Sequence, residues 1–293
     1  MLMPAPLRRR MAGAAGSLVG RVCMVTGATG ALGKATASEF ARRGATVVAV
    51  SRDEGRGRAL LASVRQASGA GSVELLLADL SDLRSVRTLV KSFGASHDRL
   101  DVLVNNAAVF KRRRIETADG FELMFATNFL GPFLLTNLLV PALRAGAPSR
   151  LITVSAPTTT ELDFADFQSK ANWRPLHAFG ASKMADLLFT FALARRLEGT
   201  RVFANVVHPG LMKSDLMREL SAPARFVVGL VSRSPDQAAE TVAHLASSPE
   251  LEGVTGRFFK GTKLSQSNEY SHDSDVQDRL WREAERLVGE SFG

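Results

Sequence analysis

Short apolar runs rich in Val, Ile and Leu alternate with helix-period patterns from residue 21 to about residue 260. The spacing predicts strands at "RVCMVTG" (21–27), "ATVVAVS" (45–51), "SVELLLADL" (72–80) and "LDVLVNNA" (100–107). Three more follow at "RLITVSA" (150–156), "RVFANVVHPG" (201–210) and "TGRFFK" (255–260). Helical patterns fall between them, as in 33–44 and 81–95. Strands that are apolar throughout and separated by helices belong to a parallel sheet covered on both faces. The expected fold class is therefore α/β, a single doubly wound parallel sheet. No repeat and no break in composition interrupts the 293 residues, so 20–293 reads as one domain. "DVQDRLWREAERLVGESFG" closes it as an amphipathic helix, with Val276, Leu280, Trp281 and Leu287 on its apolar face.

Charge and composition alter this picture little. The net charge is +8, much of it in "RRR" at 8–10 and "KRRR" at 111–114. Neither cluster is interleaved with the aromatic residues on which nucleic-acid bases stack, so no nucleic-acid partner is expected. Both read as a basic arm and a solvated loop. Residues 1–19 are expected to be a disordered leader, because Arg21 interrupts the short apolar segment directly before the first strand and a cleaved signal would cut into the fold. The lone cysteine, Cys23, lies in an apolar strand and reads as a buried thiol in a reducing, cytoplasmic setting. The uncharged stretch Leu123 to Leu143 has the length of a membrane span. Thr127, Asn128, Gly131, Pro132, Thr136 and Asn137 make it a poor lipid helix, and it is expected to be buried between other elements or at a subunit interface.

The first strand runs into "TGATGALGKA", where Gly27, Gly30 and Gly33 are spaced three apart and the last opens a helix. Glycines let backbone amides approach a pyrophosphate, and the helix N-terminus adds partial positive charge. Between a strand and a helix at the start of an alternating chain, this is a Rossmann-type dinucleotide site. Binders of the unphosphorylated cofactor place an acid at the end of the second strand. Here Ser51 and Arg52 stand there, which suits a 2′-phosphate through charge-assisted hydrogen bonds. Asp53 is the competing ribose ligand, one place late. NADP is favoured over NAD.

With those residues in place, the chain resembles the short-chain dehydrogenase/reductases from about Gly20 to its tail. "TGATGALG" is similar to the family's TGxxxGxG motif, with Gly30 one place early and Ala31 at the usual glycine; the resemblance assigns Thr29 and Leu32 to the same cofactor turn. It places Asp79 and Leu80 at the adenine. "NNAA" (105–108) matches the family's NNAG, bringing Asn105 and Ala107 to the cofactor, with Ala108 for the glycine. Asn128 falls on the catalytic-helix asparagine and Ser155 on the catalytic serine. Pro209 and Gly210, followed by Ser214, match the motif that contacts the nicotinamide amide. "RPLHAFGASKMADLLFT" and "SPELEGVTGRFF" resemble the retinol-dehydrogenase-like branch, which implies a lipophilic alcohol or carbonyl as substrate. The resemblance also implies a homodimer or homotetramer.

The family uses a tyrosine four residues before its lysine. The lysine holds the nicotinamide ribose and lowers the phenol's pKa, and the phenol gives its proton to the carbonyl oxygen. Lys183 is present, but its tyrosine position is Phe179, and the only tyrosine in the chain is Tyr270. His177, two residues earlier, points away from the Phe179–Lys183 face at helical spacing. Ser182 shares a face with the site but is a poor acid. His208 reads as packing before the "PG" turn, and Asp163 and Asp166 as solvated loop residues. The segment 211–235 mixes apolar and cationic residues in the manner of a lid over a lipophilic pocket. No metal ligand set is evident. Three readings remain open: an NADP-dependent oxidoreductase with an altered proton route or an introduced Tyr→Phe change, a non-redox enzyme (cyclase, dehydratase or isomerase) on the same scaffold, and a cofactor-binding pseudoenzyme.

Overall fold

The computed structural model describes residues 16–67, 71–210 and 233–292. Eight strands form one sheet: β1 (Val22–Thr26), β2 (Thr46–Ser51), β3 (Ser72–Leu77), β4 (Val102–Asn105), β5 (Ser149–Val154), β6 (Val202–His208), β7 (Arg257–Lys260) and β8 (Lys263–Ser265). Their order is β3-β2-β1-β4-β5-β6-β7-β8. Every pairing is parallel except β7 with β8. β1 lies between β2 and β4, so the chain reverses its direction of progress across the sheet there, and the crevice beyond the ends of β1 and β4 is the natural ligand site of such a sheet.

Helices α1 (Ala31–Arg42), α2 (Glu54–Ala67) and α6 (Pro235–Ser247) cover one face. Helices α3 (Leu83–Gly94), α4 (Leu123–Ala145), α5 (Pro175–Arg196) and α7 (Ser274–Val288) cover the other. The sequence explains the division. On β1, Cys23 and Val25 belong to the first core and Met24 to the second, all fully buried. The Val25 and Met24 side chains each contribute about 1.5–3 kcal/mol on leaving water. The second core is aromatic, with Phe129, Phe133, Phe189 and Trp281 in mutual ring contact. The uncharged helix α4 runs through it, and 83% of its apolar window is buried inside the protein.

A buried carboxylate closes the bottom of the sheet. Asp101, 1% exposed, accepts from the Val22 amide at 2.8 Å and from Arg21 at 2.7 Å, and Arg99 also pairs with it. This stitches the start of β1 to β4.

Several expectations shift. Residues 1–15 lie outside the described residues, but the part of the expected leader from 16 to 19 belongs to the packed surface: Leu18 is buried and its amide donates to the Arg43 carbonyl. β3 stops at Leu77, before Asp79 turns the chain. The hairpin strand β8, only three residues long, was not expected. On α7, Ala284 and Val288 complete the buried face, whereas Val276 and Leu287 are only partly covered.

Candidate active site

The glycine turn lies at the end of β1, and its three glycines answer different demands. Gly27 has φ +61°, and a Cβ there would meet Ala107 Cα at 2.8 Å. Gly33, in the first turn of α1, would place a Cβ 2.2 Å from the Gly27 carbonyl oxygen and 2.8 Å from Ala28 Cα. Those two positions hold the turn against its own neighbours. Gly30 caps α1 with an extended backbone, and a Cβ would touch only the Gly27 oxygen, at 3.4 Å. Among the described residues, nothing else comes within 4 Å of that position at the α1 N-terminus. That open cradle fits a pyrophosphate. Thr29 stands on its rim, and Leu32 is buried beneath it.

At the end of β2 the residues of both cofactor readings share one turn. The Asp53 carboxylate accepts from the Arg56 amide at 2.9 Å and so caps α2. The Ser51 hydroxyl is tied into the same turn, donating to the Asp53 carbonyl at 2.9 Å and accepting from its amide at 3.1 Å. Arg52 is exposed beside them. A second guanidinium, Arg56, reaches the Thr29 carbonyl at 3.2 Å, a placement that one helical turn beyond Arg52 could have signalled. Arg56 thus stands at the rim of the glycine turn. Further along the crevice, Asp79 accepts from the Ser81 amide at 2.9 Å and from its hydroxyl at 2.7 Å, with Leu80 buried behind it.

β4 is joined to β1 through Thr26. Its hydroxyl accepts from the amides of Asn106 and Ala107, at 2.9 and 3.1 Å. Asn106 in turn donates to the Thr26 carbonyl at 2.7 Å. Asn105 is buried and donates to Thr136 on α4 at 2.8 Å, leaving its own side-chain oxygen without a partner among the described residues. The tight approach of Ala107 to Gly27 therefore has side-chain support on both strands.

Helix α4 opens into one widened π turn at Ala126–Leu130, and Asn128 sits in its middle. Single π turns inside α-helices concentrate at functional positions. Asn128 clamps the loop after β4: its oxygen accepts from the Val109 amide at 2.7 Å and its amide donates to the Val109 carbonyl at 3.1 Å. The same amide reaches the Ser182 hydroxyl on α5 at 3.0 Å, and Ser182 donates to the Phe179 carbonyl at 2.8 Å. Asn128 thus sets the position of α5, and Ser182 is its partner there.

On α5, the Lys183 ammonium stands 5.8 Å from the Phe179 ring centroid, and Phe110 packs edge-on against that ring at 5.6 Å. Lys183 donates to Asp186 at 2.8 Å, both side chains being buried. Burial pushes the Asp186 carboxyl up to about 6 against the opposing charge of Lys183. Asp186 escaped the sequence reading, although a lone acid inside the apolar run "MADLLFTFALA" was a usable signal. Ser155, just beyond β5, also donates to the Lys183 carbonyl at 3.2 Å. A cavity of about 600 Å³ opens here, lined by Ala156, Pro157, Leu176, Phe179, Lys183 and Leu187 and rimmed by Thr158 to Thr160.

The remaining candidates are dispersed. α5 begins at Pro175, so His177 lies inside its first turn and faces solvent. The Tyr270 hydroxyl accepts from the Leu162 amide at 3.3 Å. His208 makes a 3.4 Å contact with the Ser155 carbonyl and is held below its usual range by burial. Gly210, after the buried Pro209, has φ +104° and lies against Arg233. Asp163 and Asp166 accept from local loop amides. Arg114 pairs with Glu116, and Arg112 and Arg113 are exposed. Ser214 and the lid segment through residue 232 lie outside the described residues.

The family model for short chain dehydrogenases matches residues 21–225. Human retinol dehydrogenase 14 is 39% identical over 98% of this chain and 91% of its own length. Mouse polyprenol dehydrogenase is 40% identical over 94% of this chain and 85% of its own. Among solved structures, an uncharacterised protein of Mycobacterium paratuberculosis superposes with a TM-score of 0.77, at 31% identity and covering 95% of this chain and 97% of that one. The Pseudomonas aeruginosa RhlG/NADP active-site complex superposes with a TM-score of 0.70, at 25% identity, covering 83% of this chain and 95% of that one.

Proposed function

The chain belongs to the short-chain dehydrogenase family, and from that premise we propose that it is an NADP-dependent oxidoreductase of a lipophilic alcohol or carbonyl, with Phe179 at the proton-donor position. The observation that carries this is the continuity of the site. One hydrogen-bonded chain runs from Val109 through Asn128 and Ser182 to the Phe179 carbonyl. Beside it, Lys183 lines the cavity, its backbone carbonyl accepts from the buried Ser155 hydroxyl, and the open cradle at Gly30 lies at the same end of the sheet.

When bound, the nicotinamide nucleotide supplies or accepts the two electrons at the carbonyl carbon. Gly27, Gly30 and the α1 N-terminus would hold its pyrophosphate. Arg52 and Arg56 would hold a 2′-phosphate, and Asp79 the adenine, with Leu80 packed behind it. Asn105 and Ala107 would border the nucleotide at the end of β4, and Pro209, Gly210 and Ser214 its nicotinamide. Lys183 binds the ribose. The Ser155 hydroxyl orients the carbonyl oxygen. Support for NADP comes from the arginines at this end of the site, Arg52 exposed beyond β2 and Arg56 reaching the glycine turn. A lipophilic substrate suits the cavity walls at Ala156, Pro157, Leu176, Phe179 and Leu187. The relatives named for retinol and polyprenol substrates support the same class. Residues 20–293 would act as one catalytic domain, and copies of it would pair into a homodimer or homotetramer in the cytoplasm.

One observation favours a non-redox step instead: the site has no phenol, and general acid catalysis is worth about 10²–10⁴ in rate. NADPH binding by fluorescence, with NADPH consumption on dodecanal by the natural chain and by Phe179→Tyr, tests the choice. Consumption by the natural chain supports the proposal. Activity confined to the tyrosine variant refutes it.

A further inference from the structure

Among the described residues that line the cavity beside Phe179, Lys183 alone carries a charge. The rest of the wall is apolar, as at Leu176 and Leu187, or polar and neutral, as at Thr158 to Thr160. A bare cation in such a pocket would trap carboxylates. An aliphatic acid would lay its chain along the apolar wall and set its head group on the ammonium through charge-assisted hydrogen bonds. An alcohol or carbonyl of the same chain length gains no such charge pairing and would lose the competition. A cavity meant for neutral lipophilic molecules therefore has to deal with its own lysine.

The fold supplies the answer one helical turn further along α5. Asp186 accepts from the Lys183 ammonium at 2.8 Å. Asp186 is 2% exposed and Lys183 5%, and Asp186 is not part of the cavity wall. The Phe179 ring, 5.8 Å from the ammonium, brings no charge of its own. Asp186 is thus the sole anionic partner of Lys183 among the described residues. A buried pair of this kind adds little to stability, because the loss of two hydration shells offsets the attraction. Its effect on the cavity is larger, since opposite charges this close act at a distance as a dipole and not as a net charge. An ammonium has three N–H donors. With one given to Asp186, two remain for hydroxyl groups such as those of a ribose.

Resting on the reading of a neutral lipophilic substrate above, we infer that Asp186 sets the charge selectivity of this cavity: by neutralising Lys183 it admits lipophilic alcohols and carbonyls and excludes lipophilic carboxylates. Asp186 acts through Lys183 and is a positioning residue. An arriving carboxylate would find the ammonium already paired and would meet a second negative charge behind it. Like charges brought together in a low-dielectric site repel strongly. Thr190 holds the Asp186 backbone carbonyl at 2.7 Å and the Thr153 hydroxyl on β5 at 2.8 Å, so this turn of α5 is fixed by neutral groups.

The test is an equilibrium one on the full chain, with decanol and decanoate as the paired probes. Each is titrated calorimetrically at pH 8, with and without saturating NADPH, so neither ligand can receive or lose a hydride. The wild type should bind decanol at least about tenfold more tightly than decanoate, because the charged head finds no free partner. Asp186→Asn keeps the shape of the side chain and frees the ammonium, and should bind decanoate at least about tenfold more tightly than the wild type does. Its affinity for decanol should stay nearly unchanged, which a general disturbance of α5 would not allow. The double variant Lys183→Met/Asp186→Asn should lose the gain, since the freed ammonium is its source. The proposal is overturned if the wild type binds decanoate as tightly as decanol, if D186N gains nothing for decanoate, or if the double variant keeps the gain. It is overturned as well if neither probe binds. Should D186N fail to fold, the preference of the wild type decides alone. If the wild type binds decanol and NADPH but does not reduce dodecanal, the oxidoreductase reading fails, and the two titrations still decide the role of Asp186.

Discussion

Replacing Gly30 and Gly33 separately by alanine should split cofactor binding from stability. At Gly33 the new methyl would lie 2.2 Å from the Gly27 oxygen, 2.8 Å from Ala28 Cα and 2.9 Å from Asn106 Nδ2. Two of those three atoms are backbone, so the helix and strand must separate. Overpacking of this kind costs about 1–3 kcal/mol or more. For a chain of this size each kcal/mol lowers Tm by roughly 2–4 °C. At Gly30 the nearest atom is 3.4 Å away and φ is −75°, which alanine adopts without strain. A poorer N-cap costs about 0.5 kcal/mol, and the reduced freedom of the unfolded chain returns about as much. Tm should therefore stay within about 2 °C. The methyl would nevertheless occupy the space assigned to the pyrophosphate, and NADPH affinity should fall at least about tenfold, or 1.4 kcal/mol. Differential scanning fluorimetry and NADPH fluorescence titration measure the two effects. If Gly30→Ala binds NADPH as tightly as the wild type, the cradle before α1 is not the pyrophosphate site.

Other positions give equally definite outcomes. Arg52→Glu should weaken NADPH binding at least about tenfold and leave NADH nearly unaffected, since only the 2′-phosphate is lost as a partner; equal loss for both cofactors would contradict the assignment. Asp101→Ala strips three donors, Arg21, Arg99 and the Val22 amide, of a buried acceptor. It should cost about 2–3 kcal/mol in urea unfolding while leaving NADPH affinity intact. Ser182→Ala removes the link between Asn128 and α5. It should cost about 1 kcal/mol of stability and lower kcat more than it raises KM. An unchanged kcat would show that Asn128 does not position α5 for the reaction.

Much of this molecule was legible in the chain because burial on both faces writes itself as unbroken apolar runs. β1, β2 and β5 all fall inside such runs, and the glycine turn is a local feature between a strand and a helix. The crevice followed from the alternation itself. What escaped depends on contacts between distant segments. That Asp53 caps a helix shows only where the Arg56 amide meets its carboxylate. The widened turn at Asn128 has no local signature, since the Val109 clamp lies nineteen residues away. β8 is too short to produce a pattern. Leu18 looked like part of a leader because its partner, the Arg43 carbonyl, lies across α1.

The central claim is that this site moves hydrogen between a nicotinamide nucleotide and a lipophilic carbonyl even with Phe179 in it. The most direct measurement is isotopic: incubate the natural chain with dodecanal and NADPH deuterated at the transferable position of C4, and analyse the product by mass spectrometry. One deuterium on the carbinol carbon of dodecanol is the expected result. Tight NADPH binding with no deuterium in any product would contradict the account.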